Sequence, residues 1–188
     1  MKMDWDERFG MLTWQAAKLH AGQVRQHSGL PYIVHPLDVV WRISQWGIVG
    51  SEHPDTWIAA LFHDTLEDTE ATPETLQPLI GEQATKLVEA LTFDSSLHEK
   101  HVYLDSFQDP AKTPIAAVVV KLADRLCNVE DFLRSDTAYA HTYFWKAESV
   151  FDAFTARRAQ AVAHFSEKIV VTIENDIHDV ESAVEMFG

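Results

Sequence analysis

Between Thr113 and Phe132 the chain places Ile115, Val118, Val119, Leu122, Leu126 and Val129 at helical spacing. Apolar residues recurring every three or four positions mark one face of a helix. Ala117 to Val120 taken alone has the composition of a strand. Its length and its continuation through Leu122 to Phe132 favour a helix instead. A helix this apolar must be surrounded by other elements. The rest of the chain therefore has to supply a shell of helices around it.

The same rhythm recurs on both sides. From Trp5 to His20, Phe9, Leu12, Ala16 and Leu19 share a face, and Ala21-Gly22 reads as the helix end. Gln23 to His35, with Ser28-Gly29 and Pro31, reads as a loop. Pro36 opens a helix to about Trp46, and Gly47 stops it. Asp55 is placed to cap a helix from Thr56 to about Glu67, with Ile58, Leu61 and Phe62 inward. Thr72-Pro73-Glu74 starts another, and Gly81 splits the segment into two short helices. A helix is predicted near Glu99 to Phe107, and two long ones at about Ala138 to Ala156 and Arg158 to Val184. No set of alternating strands and no glycine-rich phosphate loop is present, which argues against a Rossmann-type sheet. The expectation is an all-α, single-domain multi-helix bundle spanning residues 1–188.

Composition narrows the function classes. A chain of 188 residues with 46% hydrophobic residues has enough apolar surface for one core. The net charge of −14 argues against a nucleic-acid binder, which needs clustered cations. No apolar run approaches the length of a membrane span. Asp4, Asp6, Glu7 and Arg8 do not fit a secretory leader. Cys127 has no intrachain partner, which fits a reducing cytoplasm. It reads as a small buried residue rather than a nucleophile. A small anionic substrate remains compatible with so acidic a chain if a metal and a few cations share one cleft. A homo-oligomer is compatible too.

Three anomalies carry chemistry. His63 and Asp64 follow Ala59-Ala60-Leu61-Phe62, a core-like stretch in which a charge needs a partner. Glu67 and Asp68 come one turn later, so like charges stack on one face. Asp124 interrupts the apolar helix, with Lys121 and Arg125 as local salt-bridge partners. His35 stands immediately before Pro36. Each alone is ordinary. A helix-surface dipeptide, a solvated acidic end, a local ion pair and a loop histidine would account for them one by one. Imidazoles and carboxylates together are also ligands for Mn, Fe, Ni or Zn.

Four stretches in order carry a resemblance: 16–25 (Ala16 to Arg25), 29–36 (Gly29 to Pro36), 59–69 (Ala59 to Thr69) and 120–128 (Val120 to Asn128), with a weaker echo at Tyr143-Phe144-Trp145. They resemble the H…HD…D pattern of the HD superfamily. More narrowly, they are similar to the hydrolase domain of RelA/SpoT-type alarmone enzymes and the stand-alone small alarmone hydrolases. The resemblance implies one Mn²⁺ on His35, His63, Asp64 and Asp124. It makes Glu67 and Asp68 the water-positioning or general-base pair. It implies removal of the 3′-pyrophosphate from guanosine tetra- or pentaphosphate, a small nucleotide partner. Arg25 matches a substrate contact of that family. Lys121 and Asn128, one turn either side of Asp124, are expected as further substrate contacts, Asn128 the better placed of the two, and Tyr143 would flank the nucleotide. The chain length leaves no room for the synthetase and regulatory domains of long members, so hydrolysis alone is expected.

Two departures bear on the substrate. Gln26 stands where the family usually has Lys or Arg. The segment from Phe93 to Gln108, usually lysine-rich, offers only Lys100. Another nucleotide, or weaker alarmone binding, is the competing expectation. A metal-holding module without turnover ranks below both.

Overall fold

The computed structural model describes residues 4–26, 28–97 and 99–187. Among them are twelve α-helices and one short 3-10 helix, with no strand. The fold is all-α. In chain order the helices are α1 (Trp5–Leu19), α2 (Val34–Gln45), α3 (Pro54–Phe62), α4 (Thr65–Asp68), α5 (Pro73–Ile80) and α6 (Glu82–Leu91). Then come α7 (Lys100–Asp105), the 3-10 turn Ser106–Gln108, α8 (Ile115–Ser135), α9 (Thr137–Trp145), α10 (Glu148–Ala156), α11 (Arg158–His164) and α12 (Glu167–Phe187).

Helix α8 is the axis, as its apolar stripe requires. Ala117 to Val120, Leu122, Ala123, Leu126 and Val129 are fully buried. α2, α3, α6, α9, α10, α11 and α12 all pack against it. Each fully buried Val or Leu contributes about 1.5–3 kcal/mol relative to exposure. On the far side of α2, buried Arg42 pairs with Glu130 of α8 and Asp176 of α12, and Trp46 Nε1 donates to the same Asp176 carboxylate. Three helices are thereby tied by one guanidinium.

Several boundaries differ from the sequence expectations, each for a local reason. The helix expected from Thr56 to Glu67 begins at Pro54, with His53 rather than Asp55 at its N-cap. It also breaks at His63-Asp64 and restarts as the single turn α4. The Thr65 hydroxyl donates to the Phe62 carbonyl at 2.7 Å, satisfying a backbone acceptor that the break would strand. α2 starts at Val34, so His35 lies in its first turn and not in the preceding loop. The stretch from Ala138 to Ala156 is two helices, broken at Lys146-Ala147. The last expected helix is also two, interrupted at Phe165-Ser166, where Ser166 takes a φ of 148°. The Ser166 hydroxyl accepts from the Ile169 N–H at 3.3 Å, and Glu167 follows in the first turn of α12. Ser-Glu is a start signal, concealed here by helix-compatible residues on both sides.

The split at Gly81 (φ 90°) and the start of α5 after Thr72 agree with the sequence reading, and Thr72 and Thr75 form a capping box there. The loop between α1 and α2 is held by an isolated antiparallel bridge between Val24 and Pro31. Arg25 N–H donates to Leu30 O at 2.8 Å, and Tyr32 N–H to Gln23 O at 3.0 Å. This loop faces the α3–α4 break.

Candidate metal centre

The α3–α4 break turns His63 and Asp64 toward α2 and α8. His35 of α2, His63 and Asp64 offer ligand atoms that all lie within 4.8 Å of one another. His63 Nε2 is 2.9 Å from Asp64 Oδ2, and His35 Nε2 is 3.6 Å from the same oxygen. Asp124 of α8 meets both imidazoles through Oδ1, at 3.1 Å from His35 Nε2 and 3.7 Å from His63 Nε2. His35, His63 and Asp124 are buried, and Asp64 is largely so. The four residues singled out as possible ligands thus converge at one place.

The donor chemistry fits a cation. His63 Nδ1 lies 2.8 Å from the Ala60 carbonyl, which can only accept, so Nδ1 carries a proton. That leaves Nε2 as the free lone pair of a neutral ring. Nε2 is buried without a hydrogen-bond partner among the described residues, and it faces two carboxylates. A lone pair opposed to carboxylate oxygens is repulsive unless a positive charge lies between them. The other source of that charge is a second proton. Burial opposes it, but Asp64 and Asp124 outweigh burial and push the His63 pKa up to about 10. Burial would raise the pKa of Asp64 and Asp124, yet the imidazoles, and Lys121 at Asp124, hold both below the usual carboxylate range. The cage demands a cation, and two imidazoles with two carboxylates form a donor set for a divalent metal with coordination positions to spare.

Neighbouring groups hold the carboxylates in place. Asp124 Oδ1 accepts from Asn128 Nδ2 at 2.6 Å, and its Oδ2 pairs with buried Lys121 Nζ at 2.9 Å. Asp64 Oδ2 accepts from Tyr32 OH at 2.7 Å. Arg25 donates to Asn128 Oδ1 at 3.1 Å and pairs with Asp131 at 2.8 Å. Arg125 donates to Tyr143 OH at 2.5 Å and lies over its ring. Glu67 accepts from the Phe93 N–H at 3.2 Å, and the Asp68 carbonyl accepts from Gln23 Nε2 at 2.5 Å. The surrounding protein desolvates both acids, which raises both pKa values, and the Asp64 charge adds to this.

A cavity of about 480 Å³ adjoins the cage, lined by Arg25, Gln26, Tyr32, Asn128, Asp131, Phe132, Asp136 and Tyr139. Its size is that of a small-ligand site. Gln26 is on its wall. A larger cavity of about 540 Å³ lies between α2, α8 and α12 and shares only Arg25 and Asp131 with the first. Cys127 opens on this second cavity, and burial pushes its thiol up to about 12, the condition of an inert cysteine.

Sequence reasoning passed over Tyr32, Gln23, His20 and Asp131. The first three lie in two of the four stretches that carry the resemblance, and Tyr32 stands one turn before His35. Asp131 had no signal of its own. Elsewhere, His53 lies 5.6 Å ring to ring from His164, and His141 accepts from Trp145. His27 and His98 lie outside the described residues.

A family model for the HD domain matches residues 14–161. The chain belongs to the HD domain family. Among similar proteins, this HD domain is 32% identical over 146 residues to guanosine-3′,5′-bis(diphosphate) 3′-pyrophosphohydrolase MESH1 of Drosophila melanogaster, covering 75% of the chain and 80% of that protein. It is 36% identical over 122 residues to the enzyme of the same activity from Aquifex aeolicus, covering 63% of the chain but 17% of that much longer protein. A solved structure of a metazoan ortholog of SpoT, which hydrolyzes ppGpp and plays a role in starvation responses, superposes with a TM-score of 0.72. The superposition covers 95% of this chain and 97% of that one at 25% identity. The fold of this HD domain and that of the SpoT ortholog agree over nearly their whole lengths.

Proposed function

We propose that the chain acts as one HD domain over residues 1–188, hydrolysing guanosine 3′,5′-bis(diphosphate) to GDP and pyrophosphate, and the pentaphosphate to GTP and pyrophosphate, with Mn²⁺ on His35, His63, Asp64 and Asp124. The observation that carries the reading is the buried, unpartnered His63 Nε2 facing two carboxylates beside a nucleotide-sized cavity. The names of the similar proteins support the substrate class.

A bound divalent ion supplies Lewis acidity, which stabilises charge on phosphoryl oxygens and eases deprotonation of water. Glu67 and Asp68 sit at the rim beside Asp64, and their raised pKa values suit them to take the proton of the attacking water. Water adds to the phosphorus bonded to the 3′-oxygen, the P–O3′ bond breaks, and the 3′-oxygen leaves with a proton. Phe93 N–H orients the Glu67 carboxylate for this step. Asn128 and Lys121 keep Asp124 turned to the cage, and Arg25 closes the cavity beside Asn128. Phe132 and Tyr139 offer apolar walls for a base, with Tyr143 packed behind Phe132. The site belongs to a cytoplasmic enzyme working on a small nucleotide rather than on nucleic acid or a membrane.

One observation favours a second substrate within the same chemistry. The cavity wall presents Gln26 where a cation is expected, and its one arginine is already paired with Asp131. A nucleotide with fewer phosphates would fit that charge balance. Product analysis on a nucleotide panel, with Mn²⁺ present and removed, tests both. Pyrophosphate and GDP from guanosine tetraphosphate, lost in His63→Ala and Asp64→Ala, are expected. Inorganic phosphate from another nucleotide, with no GDP at high enzyme, would support the second substrate.

A further inference from the structure

Tyr32 lies in the turn before α2, and its hydroxyl donates at 2.7 Å to Asp64 Oδ2. That oxygen is the one facing His63 Nε2 at 2.9 Å and His35 Nε2 at 3.6 Å. A carboxylate oxygen has two lone pairs. With one taken by the phenol, the other is aimed into the cage. The Tyr32 ring is itself held. It lies on buried His20, centroids 4.9 Å apart, and edge-on to His35 at 6.0 Å. His20 Nδ1 is 2.7 Å from Gln23 Oε1, which can only accept, so the imidazole donates. Gln23 then works in three directions. Its side-chain amide donates to Asp68 O, its backbone carbonyl accepts from Tyr32 N–H, and its side-chain oxygen holds His20.

The need for such a strut follows from the α3–α4 break. Asp64 sits between two helices at φ −97°, ψ −2°, and α4 is a single turn. A single turn has almost no stability of its own. Without an outside hold, only the two imidazoles would fix the direction of the Asp64 carboxylate. Asp124 receives matching help from Asn128.

We propose that Tyr32 is a positioning residue for Asp64, and that the His20–Gln23 pair fixes both the Tyr32 ring and the Asp68 end of α4, so that the loop after α1 sets the geometry of the metal cage. The inference rests on the metal site proposed above.

Mn²⁺ titration calorimetry on the EDTA-stripped protein tests it, beside thermal unfolding of the metal-free form. Tyr32→Phe keeps the ring on His20 and removes only the donor. Loss of an outer-shell partner weakens metal binding by roughly 10–100-fold, and that loss is expected with little change in metal-free melting temperature. A merely structural tyrosine would do the reverse, lowering the melting temperature and leaving affinity alone. Gln23→Ala removes no proposed ligand and keeps the Tyr32 hydroxyl in the chain, but takes away the side chain that holds His20 and Asp68 O. It is expected to lower kcat at saturating Mn²⁺ by roughly tenfold and to change affinity less than Tyr32→Phe does. It also serves if Tyr32→Phe fails to fold. Mn²⁺ affinity equal to wild type in Tyr32→Phe, or unchanged kcat in Gln23→Ala, overturns the proposal. Wild-type protein that takes up no Mn²⁺ overturns the metal site itself, and this inference with it.

Discussion

Asp124→Asn removes one charge from the most crowded point of the cage, and its cost can be worked out without any substrate. Lys121 Nζ lies 2.9 Å from Asp124 Oδ2, with side chains 8% and 5% exposed. At an effective dielectric constant near 20, attraction at that distance is roughly 6 kcal/mol. Desolvation of both ions offsets much of it, so the intact pair adds little over an apolar pair. Breaking it is different, because the ammonium is left buried and uncompensated, at about 3–5 kcal/mol. Urea unfolding in EDTA should show that loss for Asp124→Asn at pH 7. Lys121→Met should cost less, since Asp124 still accepts from Asn128 and faces His35. The double variant should lie near Lys121→Met, a strongly non-additive cycle. The pH dependence has a definite sign. Burial would raise the Asp124 pKa, but Lys121 and the two imidazoles reverse this and hold it low. Its stabilisation is therefore present above the unfolded carboxylate range and is lost as pH falls through the folded pKa. The gap between wild type and Asp124→Asn should close in acid. A loss under about 1 kcal/mol with additive single variants, against the expected 3–5, would refute the coupling.

Glu67→Gln should lower kcat by roughly 10²–10⁴-fold with metal affinity retained. It should also raise the melting temperature of the metal-free protein, because a raised pKa means the ionised form is disfavoured in the fold; that gain should vanish at low pH, where Glu67 is protonated anyway. Gln26→Lys restores a cation to the cavity wall and should lower KM for guanosine tetraphosphate by roughly tenfold, the value of one charge-assisted hydrogen bond; unchanged KM would remove Gln26 from the substrate site. Mn²⁺ at 100 times its dissociation constant should stabilise the fold by about 2.7 kcal/mol, read as a rise of several degrees in differential scanning calorimetry.

What was legible in the sequence was periodicity and charge out of place. α8 was readable because its stripe is long enough to separate helix from strand, and Asp124 was readable because it interrupts that stripe. The breaks at Lys146-Ala147 and Phe165-Ser166 were not, since neither contains glycine or proline and both flanks favour helix. The break at His63-Asp64 was hidden for the same reason, and it is the one that matters most for the site. A continuous helix would have left His63, Asp64 and Glu67 on one face. The break instead makes Asp64 the hinge of a turn, directed across to α2 and α8, with Glu67 and Asp68 on a separate single turn at the rim.

That arrangement explains why the supporting residues were harder to see than the proposed ligands. An acid in an apolar stretch is an anomaly in one dimension, because its desolvation cost is written in its neighbours. A donor that holds such an acid has no such mark: Tyr32 and Gln23 are unremarkable loop residues until Asp64 and Asp68 are opposite them. Asn128 was marked by its spacing from Asp124, but as a substrate contact; its hold on the Asp124 oxygen at 2.6 Å is visible only in three dimensions. Lys121 is the intermediate case. Its three-residue spacing from Asp124 predicts an ion pair, but whether that pair is a solvated contact of little worth or a buried one that governs stability depends on burial alone. Charge inside the core marks His63-Asp64 and Asp124 in the sequence; three-dimensional proximity is needed to name what holds them, and the Asp124–Lys121 cycle measures how strongly.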